Sequence, residues 1–117
     1  MYGRTSHPIV EKFLFLVETD AEVRLLPLLA VAKRLGVSLS HLQHLVREGL
    51  GLTCTQLIRA KRVERIIAEI LENPQHTLSE IAYRSGYEPR TMRRHFKSVN
   101  AAAPSAVREQ GKSNRRK

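Results

Sequence analysis

Val31 to Gly51 reads "VAKRLGVSLSHLQHLVREGLG", a run of apolar residues at helical spacing interrupted at Gly36 and broken again, after about Glu48, by Gly49 and Gly51. Val31, Ala32 and Leu35 precede Gly36, and Leu42, Leu45 and Val46 follow it. Glycine accepts the left-handed conformation that closes a helix, so one helix ends at Gly36. Ser38 is a strong N-cap for the next. The second helix collects Ser40, Gln43, His44 and Arg47 on the face opposite its apolar stripe. A solvated helix face ordinarily mixes in Asp and Glu, but here the one acid is Glu48 at the end.

Fifty residues on, "IAYRSGYEPRTMRRHFKSVNA" (Ile81 to Ala101) repeats the pattern without a gap. Val31, Ala32, Gly36 and Val37 fall on Ile81, Ala82, Gly86 and Tyr87, and Leu42 and Val46 fall on Met92 and Phe96. The small alanine four residues before each glycine lets two helices approach closely. Each copy is a helix-turn-helix pattern. The second copy's outward face holds Arg90, Thr91, Arg93, Arg94 and Lys97, with Glu88 at its start.

Working outward, Ser6 and Pro8 suit the start of an amphipathic helix to about Glu18, carried by Ile9, Val10, Phe13, Leu14 and Val17. Residues 19–26 connect. Pro27 opens the first helix of the first copy. A longer helix runs from about Thr53 to Glu72, with Leu57, Ile58, Val63, Ile66, Ile67, Ile70 and Leu71 as its apolar stripe, and Asn73-Pro74 ends it. Thr77 and Glu80 form a capping-box pattern for the next helix. Pro89 opens a further one to about Val99, and Pro104 a last short one. No segment alternates as a strand does. The expectation is an all-α chain: residues 1–6 a flexible lead-in, 7–52 a first helix-turn-helix subdomain, 53–73 a linker helix, 74–110 a second subdomain, and 111–117 a basic disordered tail.

The charge balance agrees. Twenty basic against 11 acidic residues leave +9, with a pI of about 10.5. Such an excess predicts attraction to a polyanion, nucleic acid before an acidic membrane surface. Cys54 is the single cysteine, so no intrachain disulfide and no cysteine-based zinc cluster can form. No apolar run approaches the roughly 20 residues that span a bilayer. A cytoplasmic protein with no membrane partner is expected.

Catalytic and metal chemistry find little support. His41 and His44 are three apart but have no third ligand nearby, so no metal and no cofactor is expected. His41 is placed partly inward and His44 outward. Cys54 lies near a helix start, where a thiol pKa can fall, but without organised partners it reads as a half-buried structural thiol. His95 corresponds to the mostly inward Leu45 and reads as a packed side chain. There is no phosphate-binding glycine loop, nucleophile elbow or catalytic carboxylate pair, so an enzyme is not expected.

Four phrases carry a more specific signal: "LAVAKRLGVSLSHLQHLV", "GLTCTQLIRAKRVERI", "LSEIAYRSGY" and "RRHFKSVNAAAPSAVR". In this order they resemble the AraC/XylS family of bacterial transcriptional regulators over roughly Leu28 to Arg108. The resemblance implies two homeodomain-like three-helical units joined by a linker helix, each with a recognition helix in the major groove. It places Ser40, Gln43 and His44 as base readers in the first unit, and Thr91, Arg93 and Arg94 in the second, where Arg90 joins them as a base-reading candidate from the same exposed face. Arg47 and Lys97 fall at phosphate positions, and Arg62 at a basic linker position taken as an intramolecular partner. The sequence departs from the family at several points. The second turn is one residue shorter than usual, Val46 replaces an aromatic, Ala101 a glycine and Val107 a tyrosine or phenylalanine. About 27 residues precede the first motif, too few for the ligand-sensing domain most members carry.

The expected function is a sequence-specific regulator that binds double-stranded DNA as a monomer. Gln matches the major-groove edge of adenine and Arg that of guanine. A helix of about 20 residues spans roughly 30 Å, close to the ~34 Å between successive major grooves. The two reading faces differ, so the site should be asymmetric. Activation would require RNA polymerase as a partner, and no residue pattern identifies its contacts. The alternative is a helix-turn-helix protein-interaction module that docks an acidic partner. RNA binding is weaker, because aromatic stacking platforms are nearly missing.

Overall fold

The computed structural model describes residues 7–115. Those residues form α-helices and one 3-10 turn, with no strand among them. In order they are α1 (Pro8–Thr19), the 3-10 turn (Val23–Leu25), α2 (Leu28–Arg34), α3 (Leu39–Leu50), α4 (Cys54–Glu72), α5 (Leu78–Arg84), α6 (Pro89–Ser98) and α7 (Pro104–Arg115). The expected lead-in, residues 1–6, lies outside the described residues, as do 116 and 117. The chain divides into two compact units between Lys61 and Arg62. The boundary falls inside α4, so the linker helix is not a separate segment but contributes a part to each core.

In the first unit, α1, α2, α3 and the start of α4 enclose Phe13, Val17, Val23, Val31, Ala32, Leu42, Val46, Cys54 and Leu57. His7 caps α1: its Nδ1 accepts from the Ile9 N–H at 3.1 Å, and Pro8 takes the first helical position, while Ser6 lies outside the described residues. Two buried cations secure the other end of α1. Arg24 donates to the carbonyls of Val17 (2.7 Å) and Glu18 (3.3 Å), and Lys61 Nζ sits 2.6 Å from a Glu18 carboxylate oxygen. Thr53 and Gln56 cap α4 reciprocally, each side chain accepting from the other's N–H.

In the second unit the rest of α4 packs with α5, α6 and α7 around Val63, Ile66, Ile70, Ile81, Ala82, Tyr87, Met92, Phe96 and Val107. Thr77 and Glu80 form the expected capping box on α5. Hydrogen bonds to Thr77 lower the Glu80 pKa. Arg108 on α7 donates to the Pro74 carbonyl just past α4, at 3.2 Å. The expected disordered tail is helical through Arg115. Gly-Lys-Ser-Asn reads as a helix break, but Gly111 is buried and Glu109 pairs with Lys112 at 3.8 Å across one turn, so α7 continues.

The repeat extends to the cores. α5 lies fifty residues from α2, and the start of α6 fifty from α3. Continuing the shift places Val63 of α4 at the position of Phe13 in α1. Phe13 and Val46 in one unit thus answer to Val63 and Phe96 in the other, all four buried. The same two residue types exchange places, which keeps the combined volume constant. Phe13 of α1 and Val46 of α3 belong to one buried cluster, so this core has its phenylalanine on α1. Val46→Phe alone should overpack this core and cost about 1 to 3 kcal/mol. Phe13→Val alone should cost on the order of 2 kcal/mol or more through the cavity it leaves. In urea unfolding the double variant should be more stable than the sum of the two losses; strict additivity would show that the positions do not share one space.

Candidate nucleic-acid interface

The direction of α3 and of α6 is set by the turn before each. Gly36 and Gly86 have φ of +73° and +79°. Val37 N–H donates to the Ala32 carbonyl at 3.1 Å, and Tyr87 N–H to the Ala82 carbonyl at 2.9 Å. The glycine N–H groups reach back to Lys33 and Tyr83, both at 3.1 Å. Two interlocked bonds around a left-handed glycine stop the first helix and redirect the chain. A side chain at Gly36 would meet no atom within 4 Å, so the requirement there is conformational rather than spatial. The two turns have the same length. Although the second is shorter than the family's usual one, α6 therefore faces outward in the same register as α3.

The helices begin differently. Ser38 caps α3 through its hydroxyl, which accepts from the His41 N–H at 3.1 Å. Glu88 stands at the N-cap of α6 without a side-chain cap bond, and Pro89 occupies the first turn. Leu42 and Val46 anchor α3 inward, as Met92 and Phe96 anchor α6.

The opposite faces carry the expected polar residues. On α3, Ser40, Gln43, His44 and Arg47 are all exposed. On α6, Arg90, Arg93, Arg94 and Lys97 are exposed and Thr91 is half-buried. None of the four α6 cations forms an ion pair among the described residues. His41 corrects the expectation: it is exposed, not partly inward. At about 100° per residue it lies about 100° from Leu42 and about 140° from Val46, so the helix period itself was the signal. It enlarges the α3 face beside His44.

Charge is divided unevenly. Residues 62–117 carry twelve Lys and Arg against six acids, a balance of +6, whereas 1–61 carry eight against five, a balance of +3. Not all of it faces outward. Arg24 and Lys61 are buried, and Arg62 stacks over the Tyr87 ring with its guanidinium carbon 4.1 Å from the centroid. Arg62 is thus the intramolecular partner its position implies. Tyr87 in turn lies 2.8 Å from His95 Nδ1, the rings meeting edge to face, so α6 is held to the turn behind it. His95 is half-buried, as its correspondence to Leu45 predicts.

Cys54 is fully buried rather than half-buried, with its sulfur 4.0 Å from the Leu42 carbonyl. Desolvation pushes its thiol up to about 11, the reverse of an activated helix-start cysteine. Among the described residues no three His, Cys, Asp or Glu side chains gather as a metal site, and no helix is long and apolar enough to cross a membrane.

The family model described as a helix-turn-helix domain matches residues 31–110, a span that takes in both turns, α3 and α6. Among solved structures, the chain is similar to the C-terminal domain of AraT, a response regulator from Geobacillus stearothermophilus. The identity is 25% and the TM-score 0.79, over 92% of this chain and 88% of that one. No curated protein matches the chain.

The buried thiol gives a test of the first unit. Because the folded pKa of Cys54 lies above the ordinary 9.0, its contribution is whole below pH 9 and is lost as pH rises toward 11. Across that interval the wild type should lose more stability than Cys54→Ala. A thiol reagent at pH 8 should label Cys54 only as the chain unfolds; prompt labelling of the native chain would contradict the burial.

Proposed function

The chain belongs to the AraC-type helix-turn-helix family, whose members are DNA-binding transcription regulators, and from that premise we propose how it reads DNA. It is a sequence-specific regulator in which α3 and α6 enter adjacent major grooves of one asymmetric site. One observation supports this above the rest: a single chain presents the same turn-and-helix unit twice, each with an outward face of donors free of carboxylates. Because both readers belong to one chain, a monomer suffices for a two-part site. The linker length read from the sequence suits the groove repeat.

The two readers divide the work. Ser40, Gln43 and His44 form a set without lysine or arginine on α3, and Gln43 suits the paired donor and acceptor of adenine. Arg90, Thr91 and Arg94 form the set on α6, and either arginine suits the two acceptors of guanine. Arg47 and Lys97, one turn further along each helix, suit phosphate, which fixes position without carrying sequence. Arg93 shares its stripe with Lys97. The second unit, with the larger positive balance, supplies more of the salt-dependent affinity.

Gln43→Ala and Arg94→Ala should each relax preference at one base pair and cost about 1 to 3 kcal/mol on the preferred duplex, with little effect on a shuffled one. Measuring every single-base substitution of the bound duplex against each variant tests this. If both variants leave the ranking intact, the reading faces are assigned wrongly. Binding of an acidic protein with negligible DNA affinity would favour the interaction-module reading instead.

A further inference from the structure

The α6 cations lie on two stripes, Arg90 with Arg94 and Arg93 with Lys97, each pair one turn apart. The second stripe runs into a surface notch of about 440 Å³, lined by Arg93, Lys97, Asn100, Ala101 and Ala103. The notch has a definite backbone cause. Asn100 takes a left-handed φ of +59°, its N–H donating to the Lys97 carbonyl at 3.1 Å and that of Ala101 to the Phe96 carbonyl at 3.0 Å. The chain leaves the α6 axis abruptly there. Two alanines follow on the notch wall, and neither has the bulk to fill the corner.

We infer that this notch binds one phosphodiester group of the DNA backbone, with Arg93 and Lys97 as its two cations and the Asn100 amide as a neutral donor. Arg93 then acts on phosphate, although its place in the repeat matches the base-reading Gln43. The inference rests on the DNA-binding reading above and sharpens it. Lys97 stands in the last turn of α6, where the helix dipole disfavours an anion. A single ammonium there would be a weak anchor, and Arg93 one turn back adds a second full charge. No carboxylate lines the notch, and neither cation pairs with an acid among the described residues. The first copy holds Gln43 and Arg47 at these two positions, one cation where α6 has two. The clamp therefore belongs to the second reader alone.

The test uses the full chain, a preferred and a shuffled duplex, and salt from about 50 to 200 mM. Arg93 and Arg94 are exposed, so their variants should keep the helix content of the wild type. Arg93→Ala should weaken both duplexes by one common factor and flatten the salt slope by about 1. Arg93→Lys should restore most of the binding, because a point charge serves phosphate but not the paired guanine contact. Arg94→Ala should instead change the ranking of bases. Neutralising the contacted phosphate as a methylphosphonate should abolish the effect of Arg93→Ala. A changed base ranking in Arg93→Ala, or no rescue by Arg93→Lys, would overturn the phosphate assignment and leave DNA reading intact. Inorganic phosphate that competes better than sulfate at equal ionic strength would identify free phosphate as the ligand and overturn it too. A wild type that binds neither duplex would sink the DNA-binding reading itself.

Discussion

The left-handed glycine turn is the constraint on which the structure depends. Gly36 and Gly86 each end a seven-residue helix, and the residue after each glycine, Val37 or Tyr87, donates back to the alanine carbonyl five residues earlier. That bond sets where the following helix begins, and so which of its faces meets solvent. A shift of one residue in the turn would rotate α3 or α6 by about 100°. Ser40, Gln43 and His44 would then no longer be presented as one set. The equal length of both turns makes the faces equivalent, even though one carries Ser40, Gln43 and His44 and the other carries three arginines.

Behind the turns, each core is a different solution to the same volume. Phe13 with Val46, and Val63 with Phe96, keep one ring and one branched aliphatic at corresponding places. Close packing tolerates such an exchange far better than a net change in volume. The positive charge is likewise sorted by packing. Arg24 and Lys61 hold the end of α1, and Arg62 covers Tyr87 beneath α6. Part of the formal +9 is therefore held within the cores, while α6 exposes four cations, Arg90, Arg93, Arg94 and Lys97.

Much of this was legible in the sequence because its signals are local. The apolar period, the Thr77–Glu80 capping box and the glycine stops fixed the helices to within a residue or two. The repeat supplied the register of the exposed faces. Tertiary contacts hid the rest. The continuation of α7 past Gly111 depends on burial that no local rule gives, and the full burial of Cys54 depends on α3 lying over it. His41 was within reach, since the angle from Leu42 and Val46 already turns it outward. The notch at Arg93 was not, because it needs the positive φ of Asn100, and asparagine adopts that conformation only in context.

The most direct measurement is selection of sites from a random duplex library by the full 117-residue chain at near-physiological salt. The account predicts enrichment of one asymmetric site, with two specified blocks centred about one helical turn apart. A single enriched block would mean that only one copy reads bases. No enrichment at all, with weak binding that vanishes as salt rises, would contradict the account.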